Sequence, residues 1–197
     1  MPGASGTMSR VTIQVLVVCT GNVCRSPVAE RLLAAALPSD AVQVASAGIR
    51  AVAGHPIDEP MAELLRAAGG DPDGFAARQL EAEELRAADL VLVMAREHRA
   101  AVASLVPARV RTTLLLREAA LAASAVQEAG WPADLDLDPA ARLAALPRLA
   151  GRLRRPTGRT DLEVPDPYRR SPEVYQESFD QVASAVAELA AALALRA

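Results

Sequence analysis

Cys19, Arg25 and Ser26 are the residues whose types and spacing suit covalent chemistry. They lie in Cys19-Thr20-Gly21-Asn22-Val23-Cys24-Arg25-Ser26-Pro27, with five residues between the first Cys and the Arg. A loop of this kind between a strand and a helix wraps its backbone N–H groups around a tetrahedral oxyanion, and the helix N-terminus adds positive potential. The same field stabilises a thiolate, so Cys19 becomes a nucleophile at neutral pH. The chemistry implied is attack by sulfur on the phosphorus or arsenic atom of an oxyanion.

The flanking elements must position that loop. The apolar run Val11 to Val18 predicts a strand buried on both faces of a parallel sheet. Ser26 is expected at the N-cap and Pro27 at the first helical position, with the helix running to about Leu37. Further strands are predicted over Ala41 to Ala45, Leu90 to Met94 and Val110 to Leu116. Helices are predicted over Met61 to Ala68, Glu81 to Ala87 and Glu97 to Leu105. A last helix runs from Pro172 to Arg196, with Ser171 as N-cap and Val174, Val182, Val186, Leu189 and Leu193 on a core-facing stripe. This alternation predicts an α/β fold: a doubly wound three-layer sandwich with a central four-stranded parallel sheet flanked by helices. The phosphate-binding loop after strand one then sits at the C-terminal ends of the strands, where ligands bind in such folds.

The 197 residues suit one domain. Residues 1–10 read as a flexible leader without the pattern of a signal peptide, and 11–197 as a single domain. A helical and basic segment at about 118–163 is expected to be an insertion of two short helices and a mobile loop. It carries Arg148, Arg152, Arg154, Arg155 and Arg159. The net charge of -3 offers no general attraction to nucleic acid or to an anionic membrane, so neither is expected as a partner. No apolar run is long enough to span a bilayer. The only two cysteines share one loop, which fits a reducing cytoplasm. Two Cys and two His without ligand spacing predict neither a metal site nor a metal cofactor. The absence of Lys and the abundance of Ala suggest coding bias in a GC-rich bacterial genome.

Val18-Cys19 to Pro27 resembles the signature loop of the low-molecular-weight protein tyrosine phosphatases, a family whose fold is shared by arsenate reductases. The family's second signature, an Asp-Pro-aromatic triplet, is matched by Asp166-Pro167-Tyr168. Ser46-Ala47-Gly48, Ala77-Arg78 and Ala88-Asp89-Leu90 match internal landmarks in order. A bare Cys-x5-Arg is a weak signal; the whole loop after a strand, with a late Asp-Pro-Tyr, is a strong one. The resemblance implies Cys19 as nucleophile and Arg25 as a fork on the phosphoryl oxygens. It also implies Ser26 as donor to the sulfur and Asp166 as acid and then base. Backbone N–H groups of Thr20, Gly21, Asn22, Val23, Cys24 and Arg25 would hold the phosphate. Asn22 would prop the loop through Ser46, and Tyr168 and Val52 would wall the cleft. Cys24 is either a redox partner that forms a reversible disulfide with Cys19 or a small buried residue that fits. No cofactor is required, and phosphate is expected as product or inhibitor.

The chain also departs from the family. Phe75 stands where a loop-supporting His is common, so loop support is expected to differ. Aliphatic Val52 opposite Tyr168 would hold a phenyl ring less tightly than a second aromatic residue. The arginines of the inserted segment read as a solvated basic loop rather than a recruiter of acidic substrates. His55 reads as a surface loop residue, His98 as an exposed helix residue, Asp58 and Glu59 as helix caps, and Trp131 as a packing anchor.

The leading function is hydrolysis of phosphotyrosine in proteins, and of aryl phosphates, through a cysteinyl-phosphate intermediate. The alternative is a small-thiol-coupled arsenate reductase. The thioredoxin-coupled form needs further cysteines, and none follows Cys24. A non-catalytic phosphate-binding module ranks last, because Cys19, Arg25 and Asp166 are all present.

Overall fold

Among the described residues four short runs pair as a parallel sheet, three of them rich in Val and Leu and the second ending in small residues: β1 (Ile13–Cys19), β2 (Val42–Gly48), β3 (Leu90–Val93) and β4 (Thr113–Leu115). The computed structural model describes residues 12–135, 138–152 and 161–194. The leader and Arg154, Arg155, Arg159 and Arg196 lie outside the described residues. The strand order is β2-β1-β3-β4, all parallel. The chain therefore reverses its winding direction between β1 and β3, which opens a crevice at their C-terminal ends.

Among the described residues seven α-helices flank the sheet: α1 (Arg25–Ala36), α2 (Glu59–Ala67), α3 (Ala82–Ala87), α4 (Arg96–Leu105), α5 (Leu116–Ala129), α6 (Pro139–Arg152) and α7 (Pro172–Leu193). The strand period of two divides them between the faces. Val15, Val17 and Cys19 of β1, with Leu90 and Leu92 of β3, pack with α1, α2, α5, α6 and α7. Leu16, Val18, Val91 and Val93 point the other way, onto Leu85 of α3 and Val102 of α4. Among the described residues, no helix is long and apolar enough to cross a membrane.

Several expected boundaries shift, the second strand among them, which runs on to Gly48. The first helix begins at Arg25 with Cys24 at its cap position, so Ser26 and Pro27 lie inside the first turn. Ser26 therefore does not cap the helix; its hydroxyl turns to the Cys19 sulfur. The fourth strand is only Thr113–Leu115, because Pro107–Thr112 winds as a 3-10 helix. Pro107 fixes its own φ, and the Thr113 hydroxyl donates to the Arg109 carbonyl at 2.7 Å, which holds the coil tight. Val110 is exposed as a result. Ser171 stands at the cap position of α7 without a side-chain capping bond.

The expected short helices after 118 are α5 and α6, each of 14 residues. Helix α6 buries Leu143, Leu146 and Leu149 in the larger core. Trp131 is buried, as an anchor should be, and its Nε1–H donates to the Ala192 carbonyl at 3.1 Å. The Arg142 guanidinium lies 5.2 Å from the Trp131 ring and donates to the Ala194 carbonyl at 3.0 Å. A cation at the end of α7 meets the negative pole of that helix.

Candidate active site

The loop after β1 is shaped by bonds to its carbonyls. The N–H groups of Ile49, Arg50, Val52 and Asp58 donate to the carbonyls of Cys19, Thr20, Gly21 and Val23 at 3.0, 2.9, 2.9 and 2.8 Å. Among the described residues, no backbone carbonyl takes the N–H groups of Gly21, Val23, Cys24 or Arg25. A loop with its carbonyls tied from outside and its N–H groups left over is a cradle for an anion. Gly48 lets the segment approach: a Cβ there would stand 2.7 Å from the Thr20 carbonyl oxygen. Asn22 takes the left-handed conformation at φ 55°, which Asn tolerates better than most residues.

A directed chain of hydrogen bonds ends on the sulfur. The Ser46 hydroxyl donates to Glu30 Oε2 at 2.6 Å, so its oxygen is left to accept from Asn22 Nδ2 at 2.8 Å. Asn22 Nδ2 also donates to Ser26 Oγ at 3.0 Å. The Ser26 proton is thereby directed to Cys19 Sγ, 2.9 Å away. The Asn22 N–H adds a second contact to the sulfur at 3.3 Å. Asn22 Oδ1 takes the Arg78 N–H at 2.9 Å, so the carboxamide is used at both ends. Phe75 has no part in this; Arg31 stands 6.0 Å over its ring. Loop support thus comes from the Arg78 backbone and Glu30, and the Asn22–Ser46 bond is short.

Arg25 is buried at 3% exposure. Its Nη1 donates to the Val164 carbonyl at 3.1 Å, and Nη2 pairs with Asp166 Oδ2 at 2.7 Å. Its buried Nε has no partner among the described residues. Asp166 is about half exposed, and its Oδ1 accepts the Tyr168 N–H at 3.2 Å. Residues more than 140 positions apart in sequence thus meet at one cleft of about 150 Å³. Cys19, Thr20, Gly21, Val23, Cys24, Arg25, Arg50, Val52, Asp166 and Tyr168 line it. That volume is well below the roughly 300 Å³ at which pockets for drug-sized ligands begin, and suits the tip of one side chain. Asn22, Ser26 and Ser46 stand behind the loop.

Several residues escaped sequence reasoning. His98 is fully buried, not exposed. It is the third residue of α4, and its Nδ1 accepts the Ala95 N–H at 3.1 Å in the manner of a capping box. Its Nε2 meets Thr20 Oγ1 at 2.9 Å. Burial, and then the Arg25 and Arg50 charges, push this imidazole down to about 3. The position three residues past a helix start was the available signal. Glu30 follows Ser26 by four residues and so shares its helix face. Asp58 makes no side-chain cap; its carboxylate accepts the Tyr175 hydroxyl at 2.5 Å. The Tyr175 oxygen takes the Arg169 N–H at 3.2 Å, tying the Asp166 loop to α2.

Cys19 and Cys24 are both free and buried. Burial, and then Asp58, Cys19 and Asp166, push the Cys24 thiol up, so it is protonated at neutral pH. Among the described residues, no group of His, Cys, Asp and Glu is arranged to hold a metal ion.

Residues 14–127 match the family described as low molecular weight phosphotyrosine protein phosphatase. The low molecular weight protein-tyrosine-phosphatase Etp of Escherichia coli K12 is 46% identical over 93 residues, covering 47% of this chain and 62% of that protein. The corresponding Wzb of Salmonella typhi is 44% identical over 94 residues, covering 48% and 62%. The chain thus spans about three fifths of the length of these curated relatives. The crystal structure of the Erwinia amylovora tyrosine phosphatase AmsI superposes with a TM-score of 0.65 at 27% identity, over 92% of this chain and 93% of that one. Wzb from Escherichia coli K30, in complex with sulphate, gives 0.68 at 25% identity, over 93% and 100%. The YwlE arginine phosphatase from Geobacillus stearothermophilus gives 0.65 at 26%, over 91% of each chain.

Proposed function

The chain belongs to the low molecular weight phosphotyrosine protein phosphatase family, and from that premise we propose that it hydrolyses phosphotyrosine in proteins, and aryl phosphates, through a cysteinyl-phosphate intermediate. The observation that carries this reading is the meeting of Cys19, Arg25 and Asp166 at one small cleft. The Cys19 thiolate attacks phosphorus, the S–P bond forms, and the P–O bond to the phenol breaks. Asp166 gives its proton to the departing oxygen and then takes one from the water that attacks the phosphocysteine. The S–P bond breaks, inorganic phosphate leaves, and Ser26 donates to the returning thiolate across its 2.9 Å contact. Arg25 offers Nε, and Nη2 once Asp166 swings away, as a fork for two equatorial oxygens. The flatter transition state fits that fork and the surrounding N–H groups better than the ground state does.

The walls favour a flat side chain. Tyr168 supplies one aromatic face and Val52 an aliphatic one. The reductase alternative gains nothing from the relatives and structures named above, all of which are phosphatases by name. Cytoplasmic location rests on two free thiols and no disulfide. The Cys19–Cys24 redox pair belongs to this reading, with slow disulfide formation expected because the Cys24 thiol is held protonated. The segment at about 118–163 is read as an insertion within one domain.

The test is hydrolysis of p-nitrophenyl phosphate and of phosphotyrosine and phosphoarginine peptides, with chelator present, for the wild type and Cys19→Ser. Cys19-dependent turnover with the tyrosine peptide preferred is expected, with a loss of roughly 10⁴-fold or more in Cys19→Ser. Turnover that survives in Cys19→Ser removes the nucleophile assignment. Preference for phosphoarginine, or turnover only of arsenate with a small thiol, reassigns the substrate.

A further inference from the structure

We propose that the Thr20 side-chain hydroxyl is a donor to the bound phosphoryl group, beside the loop's backbone N–H groups, and that His98 is the positioning residue that aims it. This rests on the phosphatase reading above and adds two residues to it: one at the phosphoryl group, one behind it.

The argument starts from a lone pair. A backbone N–H can only donate, so His98 Nδ1, which takes the Ala95 N–H at 3.1 Å, must carry the lone pair. The neutral ring then holds its single proton on Nε2. Nε2 is 2.9 Å from Thr20 Oγ1, and that proton points at the hydroxyl oxygen. Glu97 Oε1 is the other acceptor nearby, but at 3.6 Å it lies beyond hydrogen-bond reach. Arg25 Nη2 stands 3.4 Å from the same hydroxyl oxygen and also can only donate.

Both neighbours of Thr20 Oγ1 therefore give protons to it. A hydroxyl has two lone pairs and one proton. With its lone pairs facing His98 and Arg25, its own proton is left for a third direction. Among the described residues, no acceptor takes that proton. Thr20 lines the cleft directly after the nucleophile, so the remaining direction is the one a phosphoryl oxygen occupies. Burial keeps the imidazole neutral throughout the working range, so the aim does not change with pH there. A donor fixed in advance at developing charge is worth more than one that must rotate into place.

The experiment combines kinetics, anion binding and spectroscopy. It takes wild type, Thr20→Val, Thr20→Ser, His98→Phe, His98→Gln and the Thr20→Val/His98→Phe double variant. kcat and KM are measured for p-nitrophenyl phosphate, and orthovanadate and inorganic phosphate are titrated on each protein. Thr20→Val is expected to lower kcat roughly 10- to 100-fold with little change in KM, and to weaken vanadate more than phosphate. Thr20→Ser and His98→Gln, which keep a hydroxyl and an N–H donor, restore most of the rate. His98→Phe lowers kcat alone and adds nothing on top of Thr20→Val. Nitrogen NMR of the wild-type imidazole shows the Nε2–H tautomer from pH 8 to pH 5. An unchanged kcat in Thr20→Val, multiplying losses in the double variant, or an Nδ1–H tautomer each overturn the proposal. If His98→Phe fails to fold, the Thr20 pair, His98→Gln and the spectrum still decide. A wild type without Cys19-dependent turnover sinks the phosphatase reading instead, and vanadate affinity with the spectrum then decides on Thr20 and His98.

Discussion

The two sides of the cleft are built in opposite ways. The Cys19 side is largely buried and its supporting side chains are held: Asn22 uses both ends of its carboxamide, and Ser26, Ser46 and Glu30 form one directed chain. The Asp166 side is half exposed: its segment is tied before Asp166 by the Val164 N–H on the Met94 carbonyl at 2.9 Å and by Glu163 on the Arg96 N–H at 3.1 Å, after it by the Tyr175 hydroxyl, and at Asp166 itself by Arg25. An oxyanion cage gains from rigidity, because donors fixed in advance cost no reorganisation. An acid that must later serve as base gains from room to move and access to water. Under the proposed mechanism, the contrast teaches that stiffness follows the task of each wall.

Arg25 belongs to both walls, so replacing it is the harshest way to break the contrast. Arg25→Lys keeps the charge but loses the planar fork, the Val164 bond and the Asp166 pair together. kcat should fall roughly 10³-fold. Retention within tenfold, measured under saturating substrate, would mean the cage needs charge and not shape. Asp166→Asn tests the looser wall alone. Hydrolysis of phenyl phosphate should fall roughly 10²-fold, and of p-nitrophenyl phosphate far less, since its leaving group needs no proton. Equal losses on both would make Asp166 a clamp for Arg25 rather than the acid.

The rigid wall was the legible one. Its residues are consecutive, and a Cys, an Arg and a Ser after an apolar strand announce their chemistry by type alone. Asp166-Pro167-Tyr168 was legible through the resemblance, since one carboxylate among many has no distinguishing pattern. His98 was legible only as a residue near a helix start, because a helical period tells which face is apolar and not which end abuts a loop. The 3-10 coil at Pro107–Thr112 was missed because Val110 and the threonines carry strand propensity that Pro107 and local hydroxyl bonds override. Arg142 of α6 is buried on the end of α7, a placement that only the packed pair of helices creates.

Tyr175 offers a gentler test of the looser wall. Its hydroxyl, pushed up by burial and by its bond to Asp58, stays protonated and bridges Asp58 to the Arg169 N–H. Tyr175→Phe should lower stability by about 2 kcal/mol, the scale of a hydrogen bond to a charged group. It should also lower kcat a few-fold by loosening the Asp166 loop, with vanadate affinity of the cage unchanged. Urea unfolding and inhibitor titration on the same preparations separate the two effects. Loss of vanadate affinity would show that the walls are not independent.

The smallest effect concerns pH and the stiff wall. The folded protein holds His98 neutral down to about 3, against an ordinary value of 6.5 in the unfolded chain. Arg25 and Arg50 oppose protonation, and among the described residues Glu97, with Oε1 at 3.6 Å from Nε2, is the carboxylate that pairs with the ring. Between those two values the unfolded chain binds a proton that the folded one refuses. Stability therefore drops as pH falls below about 6.5, by up to about 1.4 kcal/mol per pH unit, and is insensitive to this residue above it. Urea unfolding at pH 7.5 and pH 5.0 should cost the wild type about 2 kcal/mol more than His98→Gln, whose amide has no proton to gain. Equal losses in the two proteins would mean that His98 charges within the fold. The cage would then tolerate a cation behind Thr20, and its stiffness would not depend on a neutral ring.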